Sequence, residues 1–307
     1  MFNQGDSAFA PSQYLFQANA AAIGVRFRRP NDFSHTEGSA CLMASGGRAG
    51  SERKERVILN EGAVTADGYF TEVTGDFVDR EAAARLTESQ RDTVSDWRHN
   101  TLEVATTTEC TVNGLESINH ASSTKPSGQK MRIGQIDFKM EGRHRRKYHE
   151  DLELRFGRLT FSEVSINGAR LKVSVLPDVF DSLPTFSSFQ KEYNRSEAFR
   201  KEIGHMVYRT ESGVLSWLKG HELHDRRGYC LVTVVNKIEW ADPKEADPRI
   251  TINGHTVLVP GYGTIYFGEM TIAPTQRRLH MVRAELGCRD GASLDFGLGC
   301  AGGHELP

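Results

Sequence analysis

The sequence predicts a mainly β fold of the α+β kind: antiparallel sandwich or barrel-like sheets with a helical insertion. Three observations carry this. Short runs of alternating or β-branched residues recur along the chain, Gly, Asn, Asp and Pro stand between most of them, and no regular strand–helix alternation is present. The last point argues against a doubly wound parallel sheet.

The runs fall, in order, at Ile23–Arg28, Arg56–Leu59, Tyr69–Thr74, Leu102–Val112, Met131–Met140, Leu152–Phe156, Arg158–Ile166 and Ala169–Leu176. They resume at Tyr229–Ile238, Ile250–Ile252, Thr256–Val259, Thr264–Ile272 and Leu279–Leu286. Ile166-Asn167-Gly168 recurs as Ile252-Asn253-Gly254, with Val112-Asn113-Gly114 a near match. Asn-Gly tolerates positive φ at both residues, so each copy predicts a two-residue hairpin turn. Two stretches read as helical. Arg80–Trp97 places Ala83, Leu86, Gln90, Val94 and Trp97 on one face, and Ser187–Trp217 carries Phe189, Tyr193, Phe199, Ile203, Met206 and Val207. Asn194-x-x-Glu197 reads as a helix start within the second. Ser45–Lys54, rich in Gly, Ser and basic residues, reads as an exposed loop. The Gly-rich tail from Gly287 has few anchors of its own, so its order depends on docking. The organisation expected is a first β-rich part over 1–182, a helical insertion over 183–224, and a second β-rich part over 225–307 that completes the same unit.

At 307 residues the chain is long enough to bury a core without disulfides or a structural metal. A formal net charge of −2 gives no general affinity for nucleic acid or anionic membrane. Cys41, Cys110, Cys230, Cys288 and Cys300 are odd in number, widely spaced and without a CxxC pair, which disfavours a disulfide framework or thiolate zinc site. The N-terminal residues lack the features of a signal peptide, and no apolar run reaches transmembrane length, so a cytoplasmic location is expected.

No complete catalytic or cofactor motif occurs. Gly-x-Ser-x-Gly, the Walker loop and the dinucleotide fingerprint are absent, and Gly261-Tyr262-Gly263 leads into a strand rather than the helix N-terminus a phosphate needs. Gly220-His221-Glu222-Leu223-His224 is not the zincin spacing, yet His221 and His224 are candidate metal ligands. A catalytic centre assembled from distant residues would combine His205, His221 and His224 with Glu222 or Asp225. Arg143, Arg145, Arg146 and Lys147 are candidate phosphate contacts, weighed against a solvated hairpin tip because acids follow at once. Asp242–Pro248 reads as a solvated turn rather than a calcium loop. Cys288, beside Arg289, is the cysteine whose reactivity is worth checking.

Leu159–Pro177, Ala198–Tyr208, Ile250–Met270, Arg277–Gly287 and Tyr14–Arg29 together resemble a family of uncharacterised bacterial proteins of about this length. Arg80–Asn100 and the tail diverge from it. The resemblance implies a single β-rich unit and transfers no catalytic residue. The function expected is non-enzymatic: binding or self-assembly through β surfaces, with no cofactor, and with another copy of the chain or another protein as partner. A histidine–carboxylate enzyme and nucleic-acid binding through residues 143–147 are the alternatives.

Overall fold

The computed structural model describes residues 14–27, 32–77, 103–119, 129–145, 151–211, 214–217, 229–287 and 292–305. The first part contains β1 (Tyr14–Phe27), β2 (Phe33–Glu37), β3 (Ala40–Cys41), β4 (Gly47–Arg53), β5 (Val57–Leu59), β6 (Val64–Ala66) and β7 (Gly68–Phe77). Two long strands follow, β8 (Glu103–Asn119) and β9 (Gln129–Arg145), then β10 (Glu153–Ser162), β11 (Ser165–Ile166) and β12 (Ala169–Val175). Three helices, α1 (Asp178–Ser182), α2 (Phe186–Arg195) and α3 (Glu197–Ile203), precede β13 (Val207–Glu211) and β14 (Val214–Trp217). The chain closes with β15 (Cys230–Thr233), β16 (Val235–Trp240), β17 (Thr251–Asn253), β18 (Thr256–Val259), β19 (Gly263–Ala273), β20 (Gln276–Leu286) and β21 (Ala292–Glu305).

These strands form two antiparallel sheets packed face to face, and among the described residues neither closes into a barrel. The first runs β14-β13-β15-β19-β20-β21-β1-β2, with β17-β18 beside β19 and β3 beside β1. The second runs β16-β12-β11-β9-β8-β6-β5, with β10 beside β9 and the β7-β4 pair beside β8. Leu115, Ile133, Ile136 and Phe138 of the second sheet share one core with Ile23, Met281, Leu294 and Phe296 of the first. Hydrogen bonds also cross the interface, from Thr108 Oγ1 to the Cys300 carbonyl at 2.6 Å and from Tyr262 OH to Ser117 Oγ at 2.9 Å.

Pairing is interrupted along one row of each sheet. In the first sheet, ladder partners continue on both sides of Ala22, Gly297, Met281 and Gly268 but skip these four, which lie side by side on β1, β21, β20 and β19. Gly297 and Gly268 both have φ of 63°. The buried side of the alternation changes there: on β20 it passes from Arg277, Leu279 and Met281 to Val282, Ala284 and Leu286. In the second sheet the same break falls at Gly114 and Gly134.

The third Asn-Gly is therefore a mid-strand irregularity, since Gly114 adopts φ of 59° inside β8. Asn167-Gly168 makes the two-residue turn its sequence predicts, both residues at positive φ between Ile166 and Ala169. At the second copy the pairing residues are Asn253 and Thr256, so the turn shifts by one and takes in His255.

Three further differences have local causes. Ser45–Lys54 is not a loop: it contains the edge strand β4, whose small and charged residues suit a partly exposed edge. The helical reading of Ser187–Trp217 ends at Ile203, because Val207 pairs with Val232 to begin β13. Caps fall at Thr185, which makes a capping box with Ser188, and at Ser196 rather than Asn194. The Gly-rich tail is an interior strand, with β21 hydrogen-bonded to β1 and β20 along most of its length. Its glycines admit the opposite sheet, for a Cβ on Gly299 would lie 2.5 Å from the Phe138 ring. The helix expected at Arg80–Trp97 lies outside the described residues.

Arg277 ties the two sheets to the helices. It is 1% exposed and its guanidinium donates to the carbonyls of Ala273, Gln276 (3.1 Å), Leu152 (2.9 Å) and Pro184 (3.3 Å). Burial pulls its pKa down to about 10, so the charge persists at neutral pH. Arg277→Leu leaves these carbonyls without their donor and is expected to lower unfolding free energy by on the order of 3 kcal/mol in urea titration. Gly299→Val drives a branched side chain into Phe138, and the same titration is expected to show a loss of at least about 1–3 kcal/mol.

Candidate functional site

The interrupted row of the first sheet also shapes its outer face. Tyr266 and Glu269 on β19, and His280 and Arg283 on β20, are successive outward residues three apart instead of two. This brings Arg283 diagonally over Glu269. Its Nε donates to Glu269 Oε2 at 2.7 Å and its Nη2 to Glu269 Oε1 at 3.1 Å, while Nη1 pairs with Glu285. The guanidinium carbon sits 3.8 Å from the centroid of the Tyr266 ring, a cation–π stack.

Two side chains from neighbouring segments complete the network. His255, fully buried in the β17–β18 turn, places Nε2 at 3.4 Å from Glu269 Oε1. Tyr208 on β13 donates its hydroxyl to the same oxygen at 3.3 Å, and its ring packs 5.0 Å from the imidazole of His255. Burial would raise the Glu269 pKa, but the contacts with His255 and Arg283 outweigh it and hold the carboxyl at about 2. Burial and the adjacent Glu269 charge push the Tyr208 phenol well above its ordinary value. Glu269, His255 and Tyr208 thus fasten the β17–β18 hairpin and β13 to the sheet.

Beside this network lies a cleft of about 180 Å³, lined by Tyr208, Leu231, Glu269, Met270, Thr271, His280 and Arg283. His280 is the accessible imidazole. Its Nδ1 lies 3.1 Å from Asp295 Oδ1, which fixes the ring, and Nε2 has no hydrogen-bond partner among the described residues. Burial makes His255 unreachable for a ligand, whereas His280 retains 20% side-chain exposure.

The residues singled out from the sequence lie elsewhere. His205 follows α3 and is exposed, with Nε2 at 3.1 Å and 2.9 Å from the Asn236 carbonyl and side-chain oxygens. Arg143, on β9, pairs with Glu141, and Arg145 ends the same strand opposite Glu103. Arg146, Lys147, His221, Glu222, His224, Asp225 and Cys288 lie outside the described residues. In the Asp242–Pro248 turn, Asp242 caps the backbone of Lys244 and Asp247 binds Arg249. Among the described residues no group of three or more His, Cys, Asp or Glu side chains is arranged to hold a metal ion. No helix among them is long and apolar enough to cross a membrane. The cleft left one trace in the sequence: Leu279-His280-Met281-Val282-Arg283 breaks strand alternation, the mark of an irregularity that re-aims its flanking polar residues.

A family model described as a domain of unknown function (DUF8256) matches residues 132–273. The match takes in Tyr208, His255, Tyr266 and Glu269, and stops before His280 and Arg283. Neither the curated proteins nor the solved structures contain a match to the chain.

Because the folded pKa of Glu269 lies below the ordinary 4.5, its stabilisation is fully present above pH 4.5 and is lost as pH falls through about 2. The difference corresponds to roughly 3 kcal/mol. In urea titrations between pH 5 and 2, Glu269→Gln is expected to show a flatter fall in stability than the parent chain.

Proposed function

We propose that the protein is a non-enzymatic binding or self-assembly protein that acts through its β surfaces, with a second copy of the chain as its first partner. The observation that carries this reading is a contrast between sheet edges. Strands with one unpaired edge mostly bear charge, as in Arg48, Glu52 and Arg53 on β4, Arg155 and Arg158 on β10, and Lys237 and Glu239 on β16. Charges at these positions oppose edge-to-edge pairing. Among the described residues, strands β2 and β5 also pair on one side only, and each exposes a large apolar side chain, Phe33 at 37%, on a strand that also carries the His35–Glu37 pair, and Ile58 at 60%. An isologous contact through either edge would cover these side chains and extend the sheet. A cytoplasmic location and membership of an uncharacterised bacterial family accompany the reading.

The second reading is an enzyme with a histidine–carboxylate site, favoured by the His280–Asp295 pair facing the cleft. That pair sets an imidazole for proton transfer, and Thr271 supplies a hydroxyl to the same cleft. For the nucleic-acid reading, Arg143 brings no added support, since its guanidinium is engaged by Glu141.

Light scattering coupled to size exclusion, over a concentration series, is expected to give a mass at least twice that of the monomer. The double variant Phe33→Glu, Ile58→Lys is expected to elute as a monomer with an unchanged circular dichroism spectrum. A parent chain that stays monomeric at every concentration refutes self-assembly.

A further inference from the structure

We infer that the cleft between β15, β19 and β20 is a binding site for a neutral polyhydroxylated ligand, specifically a single sugar ring at the end of a saccharide. The inference is independent of association through β2 and β5, since the cleft lies on the outer face of the first sheet rather than on those edges.

The two charged groups of the lining, Glu269 and Arg283, are already paired. Arg283 is held by Glu269 and Glu285, and His280 faces Asp295. A charged ligand would have to compete with one of these pairs, and breaking a desolvated pair is costly. Hydrogen-bonding capacity nevertheless remains. A guanidinium has five N–H donors, and Arg283 spends three on the two glutamates, leaving one on each terminal nitrogen. In the neutral ring whose Nδ1 donates to Asp295, His280 Nε2 is an acceptor, and the Thr271 hydroxyl offers both functions.

Donors and acceptors therefore stand together in a lining whose own two charged groups, Glu269 and Arg283, are paired with each other. A hydroxyl is donor and acceptor at once, so vicinal hydroxyls match such a surface without leaving a charge unpaired. The site is also rigid: ion pairs and the Tyr266 stack fix the guanidinium, and Asp295 fixes the imidazole, which lowers the ordering cost of binding. Leu231 supplies apolar wall for the C–H face of a ring. A cleft of about 180 Å³ suits one ring rather than an extended chain.

The test is saturation-transfer NMR on the full chain with D-glucose, D-galactose, D-mannose and N-acetylglucosamine, each at millimolar concentration. Transfer to at least one sugar is expected, with affinity weakened about tenfold or more in both His280→Ala and Thr271→Val. These are two separate changes in the cleft wall, and thermal melting shows whether each variant remains folded. Three outcomes overturn the inference: no transfer to any of the four sugars, transfer that both folded variants retain in full, or transfer abolished by inorganic phosphate or tetramethylammonium. The last would place an ion, not a sugar, in the cleft.

Discussion

The row of interrupted pairing through Ala22, Gly297, Met281 and Gly268 determines both the inside and the outside of the first sheet. Strand side chains alternate with a period of two, so a break that shifts the alternation by one sends every later residue to the other face. Because four neighbouring strands shift together, the inner face stays apolar on both sides of the row. The opposite sheet has its own break at Gly114 and Gly134, and the first sheet's row packs close to it: a Cβ on Gly297 would lie 3.0 Å from the side chain of Ile136, two residues beyond Gly134. On the outer face the same shift sets Arg283 against Glu269, so the geometry of the cleft descends from a packing constraint in the core.

Arg277 carries a second dependence. A buried cation is normally matched by an anion, yet this guanidinium is satisfied chiefly by main-chain carbonyls from three segments. Leu152 leads into β10, and Pro184 lies between α1 and α2. The backbone of Leu152 in turn donates to Pro274, and that of Leu154 to Pro184. The helices dock over the same corner through aromatic contacts, with Phe180 packed on Phe156 and Phe189. Loss of the guanidinium would loosen the first sheet from the helices and the second sheet at one point.

Strands with clear alternation or β-branching were legible in the sequence, among them β8, β9, β12, β19 and β20, as was the Asn167-Gly168 turn. What resisted reading has a common cause: residues chosen for their contacts rather than for local preference. Strand β21 reads as a tail with few anchors because glycine is a poor strand former, yet Gly299 is small because Phe138 lies against it. The small and charged residues of β4 suit an edge and so resemble a loop. The cleft joins Tyr208, Glu269, His280, Arg283 and Asp295 from four strands, and no local motif marks such a set. Its histidine, His280, was hidden by ordinary strand neighbours, while conspicuous histidines such as His205 lie elsewhere.

The distribution of charge separates the surfaces of the molecule by task. On the outer face of the second sheet, Arg158 pairs with Glu109 and Asp137, and Lys130 with Glu116, a ladder of exposed ions that favours solvent. On the first sheet Glu269 and Arg283 are each shared among several partners, so they hold shape. Glu269 accepts hydrogen bonds from three side chains, which makes its carboxylate a fixed part of the wall and unavailable as a proton carrier. His280, braced by Asp295 and lining the cleft, combines a fixed position with a ring nitrogen that has no hydrogen-bond partner among the described residues. On the proposed binding reading, a surface so arranged would select a partner by shape and hydrogen-bond direction.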